Sequence, residues 1–158
     1  MIRDLHPETD LAAVAALMDD TADFWTLTDG APAGPAAASE FFTDGPPDHD
    51  PARQRHLGLF LDNRLCGIAE LSFGYPDASA AYLGLMLLAP RLRGQGHGQT
   101  LLAHAETLAR AGGATSLYLG VIEANPGGRA FWTRHGFTPT GISRRDDRNL
   151  THRLVKPL

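Results

Sequence analysis

Cysteine is almost missing from this chain: Cys66 is the only one in 158 residues. That excludes an intramolecular disulfide and any cysteine-rich zinc site. No apolar run approaches the roughly 20 residues that span a bilayer. The opening MIRDLHPETD lacks the apolar core of a secretory signal. A basic excess is missing as well. Lys+Arg total 14 against 18 Asp+Glu, a net charge of −4, which argues against general nucleic-acid binding. The 7 histidines include no His-x-x-x-His pair with a nearby acid, so no metal site is expected. No internal repeat and no Ser/His/Asp order stands out. With 43% hydrophobic and 20% charged residues, the expectation is one globular domain over residues 1–158. A cytoplasmic protein with neither membrane nor nucleic-acid partners follows as the default.

What is present is unevenly spread. Residues 1–79 carry 14 acids and 4 bases, whereas residues 80–158 carry 4 acids and 10 bases. The split suggests partners of opposite sign, an anion for the second half and a cation for the first. Ordinary solvated charge is the plainer explanation of the same count.

Hydrophobic periodicity gives the elements. Met1–Leu5 reads as a strand. Thr9 or Asp10 is placed to cap a helix carrying Leu11, Val14, Leu17 and Met18, with Phe24 and Trp25 near its end. GAPAGP (Gly30–Pro35) and DGPPDHDP (Asp44–Pro51) are loops around a short helix at Ala36–Phe42. His56–Leu61 and Leu65–Phe73, joined by Asp62-Asn63-Arg64, read as a hairpin. Ala81–Leu88 is apolar enough for a strand buried on both faces. A helix at Gln99–Ala111, a strand at Ser116–Ile122, a helix at Arg129–His135 and a strand pair at Phe137–Ser143 and Leu150–Val155 complete the order. Arg144–Arg148 reads as a solvated hairpin tip. This is a mixed α/β or α+β pattern.

The most informative segment is LMLLAPRLRGQGHG, Leu85–Gly98. Gly94, Gly96 and Gly98 let the backbone turn tightly and approach a ligand. A helix start follows, with unpaired N–H groups and a positive dipole end, which is an anion site suited to phosphate. Arg91 and Arg93 add charged donors. Spacing rejects two better-known phosphate loops. No Lys stands where a P-loop needs one, and Gln99 occupies the third glycine position of a dinucleotide fingerprint.

Leu88-Ala89-Pro90-Arg91-Leu92-Arg93-Gly94-Gln95-Gly96-His97-Gly98 resembles the acetyl-CoA motif of the GNAT family of N-acetyltransferases, Gln/Arg-x-x-Gly-x-Gly/Ala, met by Arg93, Gly96 and Gly98. A second block, NPGGRAFWTRHGF from Asn125 to Phe137, resembles the family's later motif. The likeness covers Ala81–Phe137 well, and the first 80 residues only in element order. It implies a mostly antiparallel, mixed sheet of six to seven strands, flanked by about four helices and splayed after the fourth strand. It also implies acetyl-CoA as co-substrate, a small-molecule or peptide amine as acceptor, direct transfer in a ternary complex, and a homodimer. The implied cofactor contacts are Leu87 and Leu88 for the pantetheine arm, and Arg91, Arg93, Gly94, Gln95, Gly96, His97, Gly98 and Gln99 for the pyrophosphate. Asn125, Phe131 and Trp132 lie beside the arm. Asn125 is equally suited to capping the helix that Pro126 begins. His97 and His135 read more simply as loop filling and helix-end packing.

Transfer to an amine requires loss of the amine proton, a donor for the developing oxyanion, and protonation of the departing thiolate. Many family members place a Tyr for the last step where this chain has Trp132, and indole N–H is a donor only. Trp132 therefore suits a packing wall better than an acid. A thiolate leaves tolerably unaided. For the base, Glu70 in CGIAELSF and Glu123 before Asn125 are the candidates, each with a solvated or ion-paired alternative. Asp77 and Tyr82 are weaker options. Phe24, Trp25, Glu70 and Tyr82 are the candidate acceptor contacts. Gly67–Glu70 is similar to a Gly-x-Ala-Glu strand of some aminoglycoside acetyltransferases, which admits a polycationic acceptor. The missing Tyr keeps a non-catalytic acyl-CoA sensor as the rival reading, and the donor acyl length stays open.

Overall fold

A computed structural model describes all 158 residues. The chain runs β1 (Ile2–Asp4), α1 (Pro7–Asp20), α2 (Ala22–Asp29), α3 (Ala37–Thr43), β2 (Arg55–Leu61), β3 (Arg64–Phe73), β4 (Ala80–Leu88), α4 (His97–Ala111), β5 (Ser116–Ile122), α5 (Pro126–Arg134), β6 (Thr138–Arg145) and β7 (Leu150–Pro157). The strands form one 7-stranded sheet in the order β1-β2-β3-β4-β5-β7-β6. Every neighbouring pair is antiparallel except β4 and β5, which run parallel. The mixed, mostly antiparallel sheet matches the expected class, with five helices rather than about four.

The β2–β3 hairpin turns on Asp62 and Asn63, both with positive φ (50° and 60°). Asp and Asn tolerate that conformation, and the resulting turn follows the natural strand twist. β3 is buried along nearly its whole length because both faces of the sheet are covered. On one face Ala69, Leu71 and Phe73 meet Leu101, Leu102, Ala105 and Ala109 of α4. On the other face Ile68 packs with Val14, Leu17 and Met18 of α1 and Phe41 of α3. Alternation along the strand puts Glu70 and Ser72 on this second face.

The first helix differs from its expectation. Its N-cap is His6, with Pro7 at the first helical position, not Thr9 or Asp10. Proline's fixed φ starts the helix one turn earlier. Asp10 is drawn elsewhere: it is bridged by both terminal nitrogens of Arg3, at 3.0 and 2.8 Å, and accepts the His6 N–H at 2.8 Å. Thr21 separates α1 from α2, its hydroxyl donating to the Leu17 and Met18 carbonyls. Phe24 and Trp25 therefore lie on α2 rather than at the end of α1.

Two irregularities shape the centre of the sheet. β4 pairs with β5 only from Ala80 to Tyr82, against Ser116 to Tyr118. Beyond Tyr82 the two strands part, and the β5-side edge of β4 has no strand partner to Leu88. The sheet is splayed as expected, but the parting begins inside the fourth strand, after Tyr82, rather than beyond its end at Leu88. β4 also bulges, since Glu70 faces Leu85 while Leu71 faces Leu83, leaving Gly84 as the extra residue.

Candidate active site

The splay opens toward a loop built to hold an anion. After a short 3-10 turn at Pro90–Leu92, Gly94 and Gly96 adopt φ of +75° and +86°, which only glycine takes without strain. Gly96 is the N-cap of α4. The backbone N–H groups from Gly94 through Gln99 donate to no acceptor in the protein. A run of free donors at the positive end of a 15-residue helix fits a pyrophosphate. At Gly98 a Cβ would come within 3.2 Å of Phe131 and 3.3 Å of Leu88, so a bare backbone lets α4 start against α5 and the end of β4.

The arginines of this loop are engaged within the chain. Arg93 forks onto Asp23 of α2, at 2.5 and 3.3 Å, and its Nε donates to the Leu88 carbonyl at 3.3 Å. The guanidinium holds the Asp23 carboxyl below its usual range. Arg91 points at Cys66 Sγ, 3.5 Å away, and the Gln95 amide donates to the Arg91 carbonyl at 2.8 Å. His97 is half-buried and Gln99 exposed. Leu87 is buried and Leu88 half-buried at the end of the splayed strand.

Asn125 caps α5, its Oδ1 accepting the Gly128 N–H at 2.9 Å. Phe131 and Trp132 meet edge to face at 5.0 Å. Trp132 then reaches Phe137 at 5.5 Å and packs on the α4-side core. His135 follows at the C-cap, its ring 4.4 Å from Phe131.

On the opposite face of the sheet the splay opens into a cleft of about 840 Å³. Its walls come from the α2–α3 segment, from β3 to β5, and from the β6–β7 hairpin. Trp25 lines it, and Phe24 backs Trp25 edge-on at 5.1 Å. Glu70 lies on the wall, only 6% exposed, so its solvated alternative does not hold. Its Oε1 accepts from Gln54 Nε2 at 2.9 Å and from the Ser72 hydroxyl. Burial pushes the Glu70 carboxyl up, partly opposed by these two donors. Its other oxygen rests on Gly84, where a Cβ would stand 1.9 Å from Oε2. Tyr82 lines the cleft, with a hydroxyl pushed up mainly by burial.

Glu123 is placed differently. Its side chain is 67% exposed and lies 3.6 Å from His152 Nε2, outside the cleft lining. The other ring nitrogen, Nδ1, meets Ser143 Oγ at 2.8 Å. Asp77 binds the N–H and hydroxyl of Ser79 in a turn.

Sequence reasoning missed Gln54, Ser72, Tyr75, Arg144 and Arg153. Ser72 was visible two residues from Glu70 on one strand face. Gln54 is 16 residues away and is brought in only by the β2–β3 register. Arg144 is exposed, as expected of that segment, but it lies on β6 rather than in the tip and lines the cleft wall. The tip is narrower: Asp146 accepts the N–H groups of Arg148 and Asn149. It is also docked, because Asn149 Nδ2 donates to the Thr28 carbonyl at the end of α2, at 2.8 Å.

The comparisons agree with this geometry. A sequence model of the acetyltransferase (GNAT) family matches residues 14–137. No curated protein matches the chain. Among solved structures, an acetyltransferase from Thermus thermophilus superposes with a TM-score of 0.77 at 23% identity, covering 100% of this chain and 96% of that one. A putative GNAT acetyltransferase from Desulfovibrio desulfuricans gives 0.78 at 16% identity, with 99% and 98% covered. The PaiA N-acetyltransferase of Thermoplasma acidophilum, solved with coenzyme A, gives 0.71 at 23% identity, with 100% and 98% covered. At these identities the likeness concerns the fold.

Proposed function

Since the chain belongs to the acetyltransferase (GNAT) family, we propose that it moves an acetyl group from acetyl-CoA to a primary amine of a small molecule or peptide, directly and in a ternary complex. The N–C bond forms as the C–S bond breaks, the amine loses one proton, and the sulfur gains one. The observation that carries this reading is the set of free N–H groups from Gly94 to Gln99, placed at one end of a splay whose other side is a cleft containing Glu70.

Acetyl-CoA supplies the activated acetyl thioester. In this proposal the N–H groups of Gly94 through Gln99 bind its pyrophosphate, with Arg93 exchanging Asp23 for phosphate oxygen. The open edge of β4 through Leu87 and Leu88 aligns the pantetheine arm. Phe131 and Trp132 support α4 and α5 from behind, and Trp132 is a wall rather than an acid. Glu70 takes the amine proton, because its raised affinity for a proton brings it closer to the working range of a base at neutral pH. Its oxygens lie against Gly84, at the bank of the gap where the amine enters. Glu123, solvent-exposed beside His152, is the weaker candidate. Trp25 and Tyr82 line the acceptor's path. Residues 1–158 act as one domain, homodimeric and cytoplasmic in this reading. No helix is long and apolar enough to cross a membrane.

The test is a calorimetric titration with acetyl-CoA, followed by thiol release with a panel of amines. Saturable binding and amine-dependent release are expected. Absence of acetyl-CoA binding at sub-millimolar concentration would sink the proposal.

A further inference from the structure

The cleft holds a charge arrangement that amine transfer alone does not require. Arg3, Arg55, Arg64 and Arg93 each pair with an aspartate. Arg144 and Arg153, which line the cleft, pair with no carboxylate. Arg153 is half-buried. Its one side-chain hydrogen bond goes to the neutral Tyr75 hydroxyl at 2.6 Å, and its guanidinium lies over the Tyr75 ring, 5.3 Å from the centroid. A guanidinium offers five donors and keeps its charge at any relevant pH. Holding it partly out of water without an anion is unfavourable.

Carboxylates are not absent from this cleft. Asp29, Glu40, Asp44 and Glu70 line it, yet none reaches either arginine. The charges are segregated. The acids sit on the α2–α3 side and on β3, and the cations on β6 and β7. The floor between them carries two glycines, with the Thr151 methyl and the Tyr82 hydroxyl resting on Gly120. Gly84 lies under the Glu70 carboxyl, and a Cβ at Gly120 would stand 3.2 Å from the Tyr82 hydroxyl. Gly120 is paired with Arg153 across β5 and β7. Glu70 and Arg153 therefore occupy opposite banks of the splay between β4 and β5.

We propose that the acceptor carries a carboxylate as well as its amine, and that Arg153, with Arg144 and Tyr75, forms the subsite that holds it. The guanidinium fork matches a carboxylate with two parallel hydrogen bonds. An acceptor anchored there directs its amine across the glycine floor toward Glu70. The class is amino acids and peptides with a nearby free carboxylate, which narrows the acceptor and excludes the polycationic one. This rests on the acetyl-transfer reading above.

The experiment compares matched acceptors: α- and ω-amino acids against their carboxamides, by thiol release, beside a titration with acetyl-CoA alone. The amide of an α-amino acid has the more readily deprotonated amine, so a preference for the acid cannot come from amine ionisation. The acid series is expected to exceed the amides by about tenfold or more in kcat/KM. Arg153→Gln should raise KM for the acids about tenfold and erase the preference. The amide values and the acetyl-CoA affinity should stay within about twofold. Arg144→Gln, on an exposed residue, gives a second variant should Arg153→Gln fold poorly. Equal use of acids and amides overturns the proposal, as does an equal loss in both series. So does acetylation of neither series by protein that binds acetyl-CoA. Loss of acetyl-CoA binding itself instead refutes the transferase reading, and the titration detects it without any acceptor.

Discussion

Replacing Gly84 with alanine tests the role of Glu70 without touching Glu70. The new Cβ would stand 1.9 Å from Oε2 and 3.1 Å from Cδ of Glu70. β4 has little freedom to give way, because Leu83 and Leu85 on either side of the bulge pair with Leu71 and Glu70 of β3. The carboxyl has to swing instead, leaving Gln54 and Ser72. Crowding plus the strained or lost hydrogen bonds cost about 1–3 kcal/mol, which in a chain of this size lowers Tm by roughly 3–10 °C. If Glu70 receives the amine proton, kcat/KM falls by about 10²- to 10⁴-fold. The acetyl-CoA affinity holds within about twofold, since the Gly94–Gln99 donors are distant in the fold.

Scanning calorimetry, acetyl-CoA titration and thiol release give the three readings. Glu70→Gln supplies the reference for activity, being close in shape and unable to take a proton. The Gly84→Ala/Glu70→Gln double variant should be no less active than Glu70→Gln alone, because both changes remove one function. Full turnover with a lowered Tm refutes Glu70 as the proton acceptor. An unchanged Tm refutes the close approach itself.

Burial raises the Glu70 pKa, so kcat/KM should climb with pH through a value above the ordinary carboxylate range as the base loses its proton, and Glu70→Gln should flatten that limb in a pH–rate profile. Arg93→Glu inverts charge at the phosphate loop and should weaken acetyl-CoA binding about 10- to 100-fold in a titration. Asp23→Asn frees Arg93 from its partner and should move affinity the other way, by up to about fivefold. Asp10 is held at about 2, chiefly by Arg3, against about 3.9 unfolded. Its contribution to stability is therefore complete above the unfolded value and lost as pH falls toward 2. Denaturant melts should show that acid limb flattened in Asp10→Asn.

Legibility in the sequence followed interaction range. The anion loop was readable because Arg93, Gly94, Gly96 and Gly98 are contiguous, and their chemistry follows from local backbone geometry. The strands β3 to β5 were readable because their apolar runs are continuous, but only β3 is buried on both faces. β4, expected to be buried on both, turns Tyr82, Gly84 and Leu85 to the open cleft, and β5 buries one face only. The start of α1 was misjudged because Asp10 obeys a tertiary demand, the Arg3 fork, over its capping propensity. The cleft was least readable. It joins residues from α2, β3, β4, β5 and β7 that share no sequence neighbourhood. Even so, Gly84 inside the apolar run of β4 carried a signal, since an isolated glycine in a strand marks a bulge or a close approach.

The charge asymmetry between the two halves looks different once partners are removed. Asp4, Asp10, Asp20 and Asp23 are committed to arginines, and Asp50 and Asp77 bind turn N–H groups. In the basic half Arg93 is answered by Asp23, and Lys156 by Glu106. The exposed pairs among these contribute little net energy, and the two whose carboxylates are buried, Arg3–Asp10 and Lys156–Glu106, serve the fold, so together they explain the totals without implying a ligand. What remains on the cleft walls is Asp29, Glu40, Asp44 and Glu70 on one bank, and Arg144 and Arg153 on the other. The acidic and basic halves thus do not describe two partners of opposite sign. Much of the rest is exposed and faces solvent away from the cleft, Glu8, Asp19, Arg110 and Arg145 among it, and the part that does face the cleft suits a single acceptor bearing both charges. Arg93 is the exception: Asp23 neutralises it at rest, and it stands at the one place where a phosphate could compete for it.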